Sequence, residues 1–542
     1  MRFDMFSDPG PAKSKSHGAI SMLGRTIAAA AILVLASCGP EAPSAPAPAE
    51  PELSSDYQVT LKPTLTDAGE VDAIEVRAVL DSELAPGEDR LQLMVPIAYV
   101  MVTGIAERTL DLKVTDRQGE IPLSFEDGEP VPGGFPYFRT FTAERGVSFP
   151  VEISYRSLVQ PPNTPGGPAF GIRPSKGGVS GSGAGFMLYP SNTMAETSVL
   201  DWDLSAFGSD DPVGVTTYGA GRVEVDRSPG QLVQAWLMAG PAGRYPKAAD
   251  DSRFHGYWLG DFPYEVEAEL EFTEHMYQFL GEFFTHLDPA PRYTVFLRQL
   301  DTPPYGGATA LYNSFMLSRG PAREEEFGQP GPRQTFVHEM LHQWVGFIAE
   351  DHGNATWFNE GLTTYYEYTL PFRAQEISYD EFVAGLNELS ERYYANPGRE
   401  MSAQAIVEVG FNDGDIRHVP YVRGAFYFAD LDARIREASQ GERSLDDLME
   451  RVFRERQSEA LTLTIESWAA EANKETGEDE LARVRGINID GSFFFPSKNA
   501  FGSCVIGEEA TATKENESYE TMVWQPVPDV DPETCFSGSD LD

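Results

Sequence analysis

The sequence predicts an α+β fold, in which a β-rich N-terminal domain precedes a mostly helical domain. Short stretches such as YQVTLKPTL at 57–65 alternate apolar and polar residues and are separated by Gly, Pro and Asp turns. From about residue 262 the pattern changes to a helical period, as in YEVEAELEFTEHMYQFLGEFFTHL. The 542 residues, 41% of them hydrophobic, are enough for two or three domains with sizeable cores.

The first 37 residues have the pattern of an export signal. Basic residues precede the apolar run IAAAAILVLA at 27–36, which is too short to cross a bilayer and fits the apolar centre of a signal peptide. The run ends in LASCG, which resembles the bacterial lipobox, whose cysteine becomes the lipidated first residue. We therefore expect 1–37 to be a lipoprotein signal peptide and Cys38 the lipidation site. The alternative is a plain secretory signal with an incidental cysteine.

Residues 38–55 are rich in Pro and Ala, which predicts an extended tether. Signal and tether together predict an exported bacterial lipoprotein, attached to a membrane through its N-terminal lipid and lying on the periplasmic side. Gly39 does not resemble an inner-membrane retention signal, which favours the outer membrane.

Three further segments complete the predicted organisation. Residues 56–260 are expected to form the β-rich domain, 261–477 the mostly helical domain, and 478–542 an irregular tail. Cys504 and Cys535 lie in this tail, where a disulfide between them would suit an oxidising compartment; two free thiols are the alternative.

The charge of the chain argues against one class of partner. The formal net charge is −43 at pH 7. Such a surface repels the phosphate backbone, so we expect no nucleic-acid partner.

The segment TFVHEMLHQWVGF contains the central motif. His338 and His342 are four residues apart, so a helix places both imidazoles on one face, where they can bind one metal ion. Glu339 is rotated by about 100° from His338, towards the open side of that ion. From there its carboxylate can accept a proton from water and pass it to a leaving amine.

A second helix is expected to supply the remaining acidic groups. Glu360, in TWFNEGLTTYYEY, is the candidate third ligand, which makes three protein ligands and an open position, as catalytic zinc requires. Glu367 lies on the same face of that helix and can orient a zinc histidine, or it can be a solvated helix acid. A structural zinc site is disfavoured because no cysteine lies near this motif.

These motifs resemble a known class of enzymes. HEMLHQW followed by WFNEG resembles the gluzincin metallopeptidases, aminopeptidase N among them, with a spacing one residue shorter than usual. The glycyl aminopeptidase family is similar over a longer stretch, from about 260 to 475. The motifs that carry this similarity are YGGATAL at 305–311, EGLTTYY at 360–366, YVRGAFYFADLDARIRE from 421 and SLDD at 444–447.

The resemblance implies a fold and a reaction. Residues 261–477 would form a thermolysin-like catalytic domain that binds Zn²⁺ through His338, His342 and Glu360. Peptide bonds would be hydrolysed by zinc-activated water, with Glu339 as general base and then acid. Tyr421, which matches the family's Tyr-x-Lys/Arg-Gly stretch, would stabilise the oxyanion; a tyrosine merely packed at a helix start is the alternative. His352 and His418 lack motif support and are interpreted as surface histidines.

The chain departs from the family at the substrate edge strand. Gly306 and Gly307 fit a strand that a substrate backbone can approach closely. Thr309 stands where the aminopeptidases have the glutamate that binds the substrate amine, and a hydroxyl cannot form that ion pair. The resemblance thus favours an aminopeptidase-like enzyme acting on peptides. An endopeptidase or narrow-specificity peptidase remains the first alternative, and a catalytically silent binding lipoprotein the second. The sequence does not predict an oligomeric state.

Overall fold

The computed structural model describes residues 55–131, 136–164, 169–208, 211–247, 252–284, 291–305, 307–346, 348–410, 413–457 and 461–536. The predicted signal peptide, the tether up to residue 54 and Cys38 therefore lie outside the described residues, and so does Gly306. Among the described residues, no helix has both the length and the apolar character that a membrane span requires.

The first part of the chain consists mainly of short strands and one helical turn. In chain order they are β1 (Tyr57–Leu65), β2 (Val71–Leu80), β3 (Gln92–Tyr99), β4 (Val102–Thr103), β5 (Thr109–Asp116), β6 (Gly119–Glu120), β7 (Leu123–Asp127), β8 (Tyr137–Ala143), β9 (Val151–Leu158), β10 (Arg173–Ser175), β11 (Gly178–Ser182), β12 (Tyr189–Pro190), β13 (Ser198–Trp202), β14 (Val213–Thr216), β15 (Gly219–Ala220), β16 (Val223–Val225), α1 (Pro229–Leu232) and β17 (Trp236–Gly240).

These strands form three sheets around one hydrophobic cluster. The strand orders are β16-β13-β1-β2-β9-β5-β6, β10-β11-β17-β14-β15 and β12-β3-β8-β7, with β4 paired to β3. In β1 the residues alternate between buried and half-buried positions, because successive side chains of a strand point to opposite faces. Tyr57, Val59 and Leu61 thereby enter the cluster. This alternation along the strands is the pattern from which the β-rich half was predicted.

The second part combines five strands with ten helices and a terminal hairpin in the described residues. The elements are β18 (Gly243–Tyr245), β19 (Phe254–Leu259), α2 (Val266–Phe283), β20 (Tyr293–Gln299), β21 (Ala308–Leu311), β22 (Ser314–Arg319), α3 (Arg333–Val345), α4 (His352–Arg373), α5 (Tyr379–Tyr394), α6 (Ala403–Gly410), α7 (Gly414–Arg417), α8 (Val419–Ala438), α9 (Leu445–Gln457), α10 (Ile465–Thr476), α11 (Glu480–Val484), β23 (Val505–Lys514) and β24 (Glu517–Pro526). The predicted α+β class, with strands first and helices later, is confirmed.

A fourth sheet lies between the β-rich part and the helices. Its order is β18-β19-β20-β22-β21, with β19, β20 and β22 parallel to one another. Along β20, Val295 and Leu297 pack into the helical cluster, whereas Phe296 between them packs into the cluster of the β-rich part. Each face of the sheet therefore belongs to a different core.

This sheet contains strands from both sides of the predicted domain boundary. The boundary at residues 260 and 261 assigns β18 and β19 to the N-terminal domain, and both strands pair within the fourth sheet. Strand pairing across a long crossover leaves no local signal, and α2 only marks where the helical period begins, so this pairing was not predictable from the sequence.

Helices α4 and α8 cross with their backbones in contact. A Cβ atom at Gly361 of α4 would lie 2.5 Å from the Cα of Gly424 in α8, and one at Gly424 would lie 2.2 Å from the Trp357 carbonyl oxygen. Distances this short exclude any side chain at either position. The glycines of the EGL and YVRG motifs therefore let the two helix backbones touch.

The predicted irregular tail contains regular structure. β23 and β24 form an antiparallel hairpin closed by Glu515 and Asn516, both with positive φ, as a two-residue hairpin turn requires. The prediction missed it because many of these strand residues are exposed and polar, so apolar alternation is weak, and the turn has no glycine. The structure joins Cys504 and Cys535 in a disulfide.

The hairpin packs against α5. The Trp524 side chain is buried, its indole N–H donates to Ser390 Oγ at 3.0 Å, and its backbone N–H donates to Asn387 Oδ1 at 2.9 Å. The tail thus covers one side of the helical cluster.

Candidate metal centre and active site

Helix α3 presents two histidines to one point. Phe336, Val337, Met340 and Leu341 are fully buried in the helical cluster and fix the orientation of the helix. His338 and His342, one turn apart, then face away from this core, with ring centroids 5.0 Å apart. The helical spacing read from the sequence is the spacing in the structure.

Glu360 reaches the same point from α4. Its Oε2 lies 3.2 Å from His338 Nε2 and 3.5 Å from His342 Nε2, and one ligand atom from each residue lies within 4.8 Å of the others. Two ligands of a tetrahedral Zn²⁺ at about 2.05 Å lie about 3.3 Å apart. Two nitrogens and one carboxylate oxygen at this separation fit such an ion.

Glu367, two turns after Glu360 on α4, contacts one of the histidines. Its Oε2 lies 2.8 Å from His338 Nδ1, and both side chains are mostly buried. When Nδ1–H donates to this carboxylate, the lone pair of Nε2 is left for a metal ion. The carboxylate of Glu367 thus contacts a ring nitrogen, and its side chain is 11% exposed.

The electrostatics of the three ligand residues favour positive charge. Burial opposes a charged His338, but the carboxylates of Glu367 and Glu360 outweigh this effect and raise the pKa of His338 well above its ordinary value. Burial would raise the pKa of Glu360, yet the neighbouring His342 and His338 hold it well below its usual range. Two carboxylates beside two imidazoles are a donor set that suits a divalent metal.

Glu339 lies beside the ligands but contacts another element. Its side chain is buried, and its carboxylate accepts a hydrogen bond from the backbone N–H of Ala310 in β21. Burial raises the pKa of Glu339, although His338 and His342 oppose the shift. A carboxylate with a raised pKa is a better proton acceptor at neutral pH.

Tyr421, in the first turn of α8, completes the group. Its ring lies over His338, with centroids 6.0 Å apart and an interplanar angle of 14°, and its hydroxyl hydrogen-bonds Glu360. Burial and the charge of Glu360 raise the pKa of Tyr421 well above 10, so the phenol stays protonated and can donate. The close crossing at Gly361 and Gly424 brings this part of α8 to the ligands.

The edge strand β21 forms one side of the site. The Ser318 N–H donates to the Gly307 carbonyl at 2.9 Å, and no heavy atom lies within 4 Å of where a Gly307 Cβ would be. Thr309 is half-buried, and its hydroxyl donates to the Ala308 carbonyl at 2.7 Å. The position where the family has a glutamate thus carries no charge.

Sequence reasoning missed two contributions to this site. His418 is half-buried at the surface, and its ring packs edge-on against Tyr421 at 5.1 Å, a contact that its interpretation as a surface histidine did not include. Its position three residues before Tyr421, at a helix start, was the available signal. The contact from Ala310 had no signal, because it is made by a backbone N–H.

Residues 332–415 match the family model described as M61 glycyl aminopeptidase. This stretch contains His338, Glu339, His342, Glu360 and Glu367. The structure is also similar to the crystal structure of an aminopeptidase N family protein from Idiomarina loihiensis, with a TM-score of 0.64 and 14% identity over 85% of this chain and 80% of that chain. At this identity the likeness concerns the fold.

The predicted resemblance to the gluzincin aminopeptidases is confirmed. The family match supports a peptide hydrolase, and the structural likeness supports the aminopeptidase-like arrangement of a β-rich part followed by a helical part. No curated protein matches the chain in sequence.

Proposed function

We propose that this protein is a zinc-dependent, aminopeptidase-like peptidase. The observation that carries the proposal is the convergence of His338, His342 and Glu360, with Glu339 and Tyr421 beside the same point. The M61 match supports the same reaction class.

In the proposed mechanism, His338, His342 and Glu360 would hold Zn²⁺, which would supply a Lewis acid for the scissile carbonyl. Glu367 keeps the Nδ1 proton of His338 in place, so that Nε2 remains a metal ligand. This hydrogen bond also fixes the orientation of the ring.

Glu339 and Tyr421 have distinct tasks in the proposed reaction. Glu339 takes a proton from the attacking water and delivers it to the nitrogen of the leaving amine. The Tyr421 O–H donates a hydrogen bond to the oxygen that gains negative charge as water adds to the carbonyl. The hydroxyl can do so because it stays protonated.

The exposed edge of β21 is proposed to bind the substrate backbone. A peptide can add to a sheet edge as an extra strand, through main-chain hydrogen bonds. Removal of residues from a free N-terminus requires a group that binds the ammonium. Since Thr309 has no charge, an endopeptidase or narrow-specificity enzyme is the second candidate.

The proposed setting is outside the cytoplasm. The lipobox-like LASCG, with lipidation at Cys38, supports an exported lipoprotein on the periplasmic side of the membrane, with the outer membrane favoured. The disulfide between Cys504 and Cys535 is in keeping with an oxidising compartment.

A peptide-library digest with mass-spectrometric detection tests the reaction. Residues 39–542, with zinc content measured, would be incubated with free and N-acetylated peptides beside a Glu339→Gln control. Trimming of free N-termini alone, lost in the control, is the expected result. Internal cuts in acetylated peptides would favour the endopeptidase. Absence of any Glu339-dependent cleavage in the zinc-loaded protein would sink the proposal and favour a silent binding lipoprotein.

A further inference from the structure

The position of β21 depends on what holds its ends. Among the described residues, this four-residue strand pairs only with β22, and its other edge offers the Ala310 N–H to Glu339. So short a strand has few ladder hydrogen bonds of its own. The segments that enter and leave it therefore determine where a bound peptide would lie.

The entrance to β21 is held by the β-rich part. Arg173 of β10, only 4% exposed, donates through Nη2 to the Thr302 carbonyl at 2.6 Å and to Thr302 Oγ1 at 2.9 Å. Its Nη1 donates to the Pro304 carbonyl. The Asn163 N–H adds a bond to the Pro303 carbonyl at 2.9 Å.

Arg173 has only uncharged acceptors within the part of the chain that the structure describes, since no carboxylate there pairs with it. Taking a guanidinium out of water is costly unless hydrogen bonds compensate. The carbonyls of residues 302–304 supply those bonds, so the side chain and this loop hold each other in place. The loop leads within three residues to Gly307.

The exit from β21 is held by the same part of the chain. Tyr312 follows the strand; the Arg227 guanidinium lies 4.5 Å from its ring centroid and the Tyr218 ring lies 6.3 Å away. Next to it, Thr217 Oγ1 and Ser314 Oγ are 2.9 Å apart and buried. The Leu311 side chain packs into the cluster of the β-rich part.

We propose that the β-rich N-terminal part positions the peptide-binding edge strand, with Arg173 at its entrance and Tyr218 and Arg227 at its exit. None of them touches the reacting groups in this arrangement: they are positioning residues that act through β21. The inference rests on the proposed peptidase function, in which β21 binds the substrate backbone. It predicts a larger effect on KM than on kcat, because the metal ligands, Glu339 and Tyr421 belong to α3, α4 and α8. A smaller effect on kcat is expected through the hydrogen bond from the Ala310 N–H to Glu339.

The kinetic test compares two buried arginines in the zinc-loaded protein. Arg173→Met is expected to raise the KM of a cleaved peptide by about tenfold, because a small displacement of the edge misplaces the substrate. It should lower kcat by a smaller factor, because only the Ala310 N–H bond to Glu339 carries the displacement to the reacting groups. The matched control is Arg108→Met; Arg108 is 7% exposed and donates to the Thr103 carbonyl, within the β-rich part. Arg173→Lys, which keeps a charged donor, should restore part of the affinity. Equal KM values for Arg173→Met and Arg108→Met would overturn the inference.

Hydrogen exchange tests the positioning without any activity. Backbone amides of residues 307–312 should exchange about tenfold faster in Arg173→Met than in wild type, with no change in Arg108→Met. Unchanged protection in Arg173→Met would overturn the inference even if KM rose. A wild type that cleaves no peptide would instead remove the proposed function, while the exchange data would still report on the strand.

A second variant covers the case in which Arg173→Met does not fold. Arg227 is only partly buried, so Arg227→Met removes the contact with Tyr312 at little risk to folding. Faster exchange at residues 310–312, together with a raised KM, supports the inference. An exchange rate and a KM equal to those of the wild type would contradict the inference for the exit of the strand.

Discussion

His338 is held at both ring nitrogens. Nδ1 contacts Glu367 at 2.8 Å while Nε2 faces Glu360 at 3.2 Å. Glu367→Ala leaves the tautomer and ring orientation of His338 unfixed, so we expect zinc affinity to fall about 10–100-fold. Competition with a chromogenic chelator measures this affinity. Glu388→Ala, which removes an exposed acid of α5, is the control and should leave the affinity unchanged.

A substitution of Tyr421 is expected to have a specific effect on kcat. Tyr421→Phe keeps the ring over His338 and removes only the hydroxyl. If that hydroxyl stabilises the oxyanion, kcat falls by about 10²–10³ while KM stays nearly constant. Steady-state kinetics on one peptide, with zinc content measured, distinguish this from metal loss. A kcat within twofold of wild type would assign Tyr421 a packing role instead.

Residues of the candidate site were predictable where their chemistry repeats with a helical period. His338, His342 and Glu367 could be placed because one and two turns of a helix return to the same face. The Ala310 N–H could not, because it is a backbone group. The position of His418 three residues before Tyr421 was visible in the sequence, but their contact depends on how α7 and α8 meet. Thr309 was recognisable only as a departure from the family pattern.

At the scale of elements, the crossing of α4 and α8 determines whether Tyr421 reaches Glu360. Gly424→Ala would place a methyl group 2.2 Å from the Trp357 carbonyl oxygen, and neither helix backbone can yield without moving the other. We expect a destabilisation of about 3 kcal/mol and a lower kcat, because α8 carries Tyr421. Urea unfolding and steady-state kinetics measure the two effects.

The control for this helix crossing is another helical glycine. Gly414→Ala, in α7, adds a methyl group where no atom lies within 4 Å. It should preserve both stability and kcat. Similar losses in the two variants would show that the helices tolerate no added volume anywhere, rather than specifically at the crossing.

Elements were predicted well where one face is apolar and poorly where pairing is long-range. The period of α2 and the alternation of β1 are visible locally. The membership of β18 and β19 in the sheet of β20 depends on partners beyond α2, and the exposed hairpin of β23 and β24 has little apolar alternation. A single sequence contains no local signal for this sheet membership or for this hairpin.

At the scale of the whole molecule, one buried carboxylate links α8 to the residues that follow α10. Asp430, 2% exposed, accepts hydrogen bonds from Arg434 at 2.9 Å, Arg483 at 2.5 Å and the Ser497 N–H at 2.9 Å. Burial would raise the pKa of Asp430, but Arg483 and Arg434 together with Ser497 hold it below its usual range.

Since the folded pKa lies below that of the unfolded chain, stability from Asp430 is present above about pH 4 and is lost as the pH falls through the folded pKa. Asp430→Asn should therefore cost about 3 kcal/mol at neutral pH, because it removes the carboxylate that pairs with Arg483 and one of the carboxylates that pair with Arg434. The difference from wild type should shrink as the pH falls below about 4. Urea unfolding at several pH values measures it.

The control for Asp430→Asn is the same substitution at an exposed aspartate. Asp380→Asn, in the first turn of α5, removes the same charge from the surface, so it should shift the unfolding midpoint little at any pH. A constant difference between Asp430→Asn and wild type from neutral to acidic pH would contradict the charge argument.

The sheet with two cores also limits how this architecture can be rearranged by recombination. An exchange of gene segments at residue 260 would separate β19 from β20 and bring together sheet faces that were never selected to fit. Alternate residues of β20 are under two independent packing constraints, with Phe296 matched to one half and Val295 to the other. The β-rich half and the helical half must therefore evolve together. Changes in the loops around β21 are a more accessible route to a new substrate specificity than the exchange of a whole half.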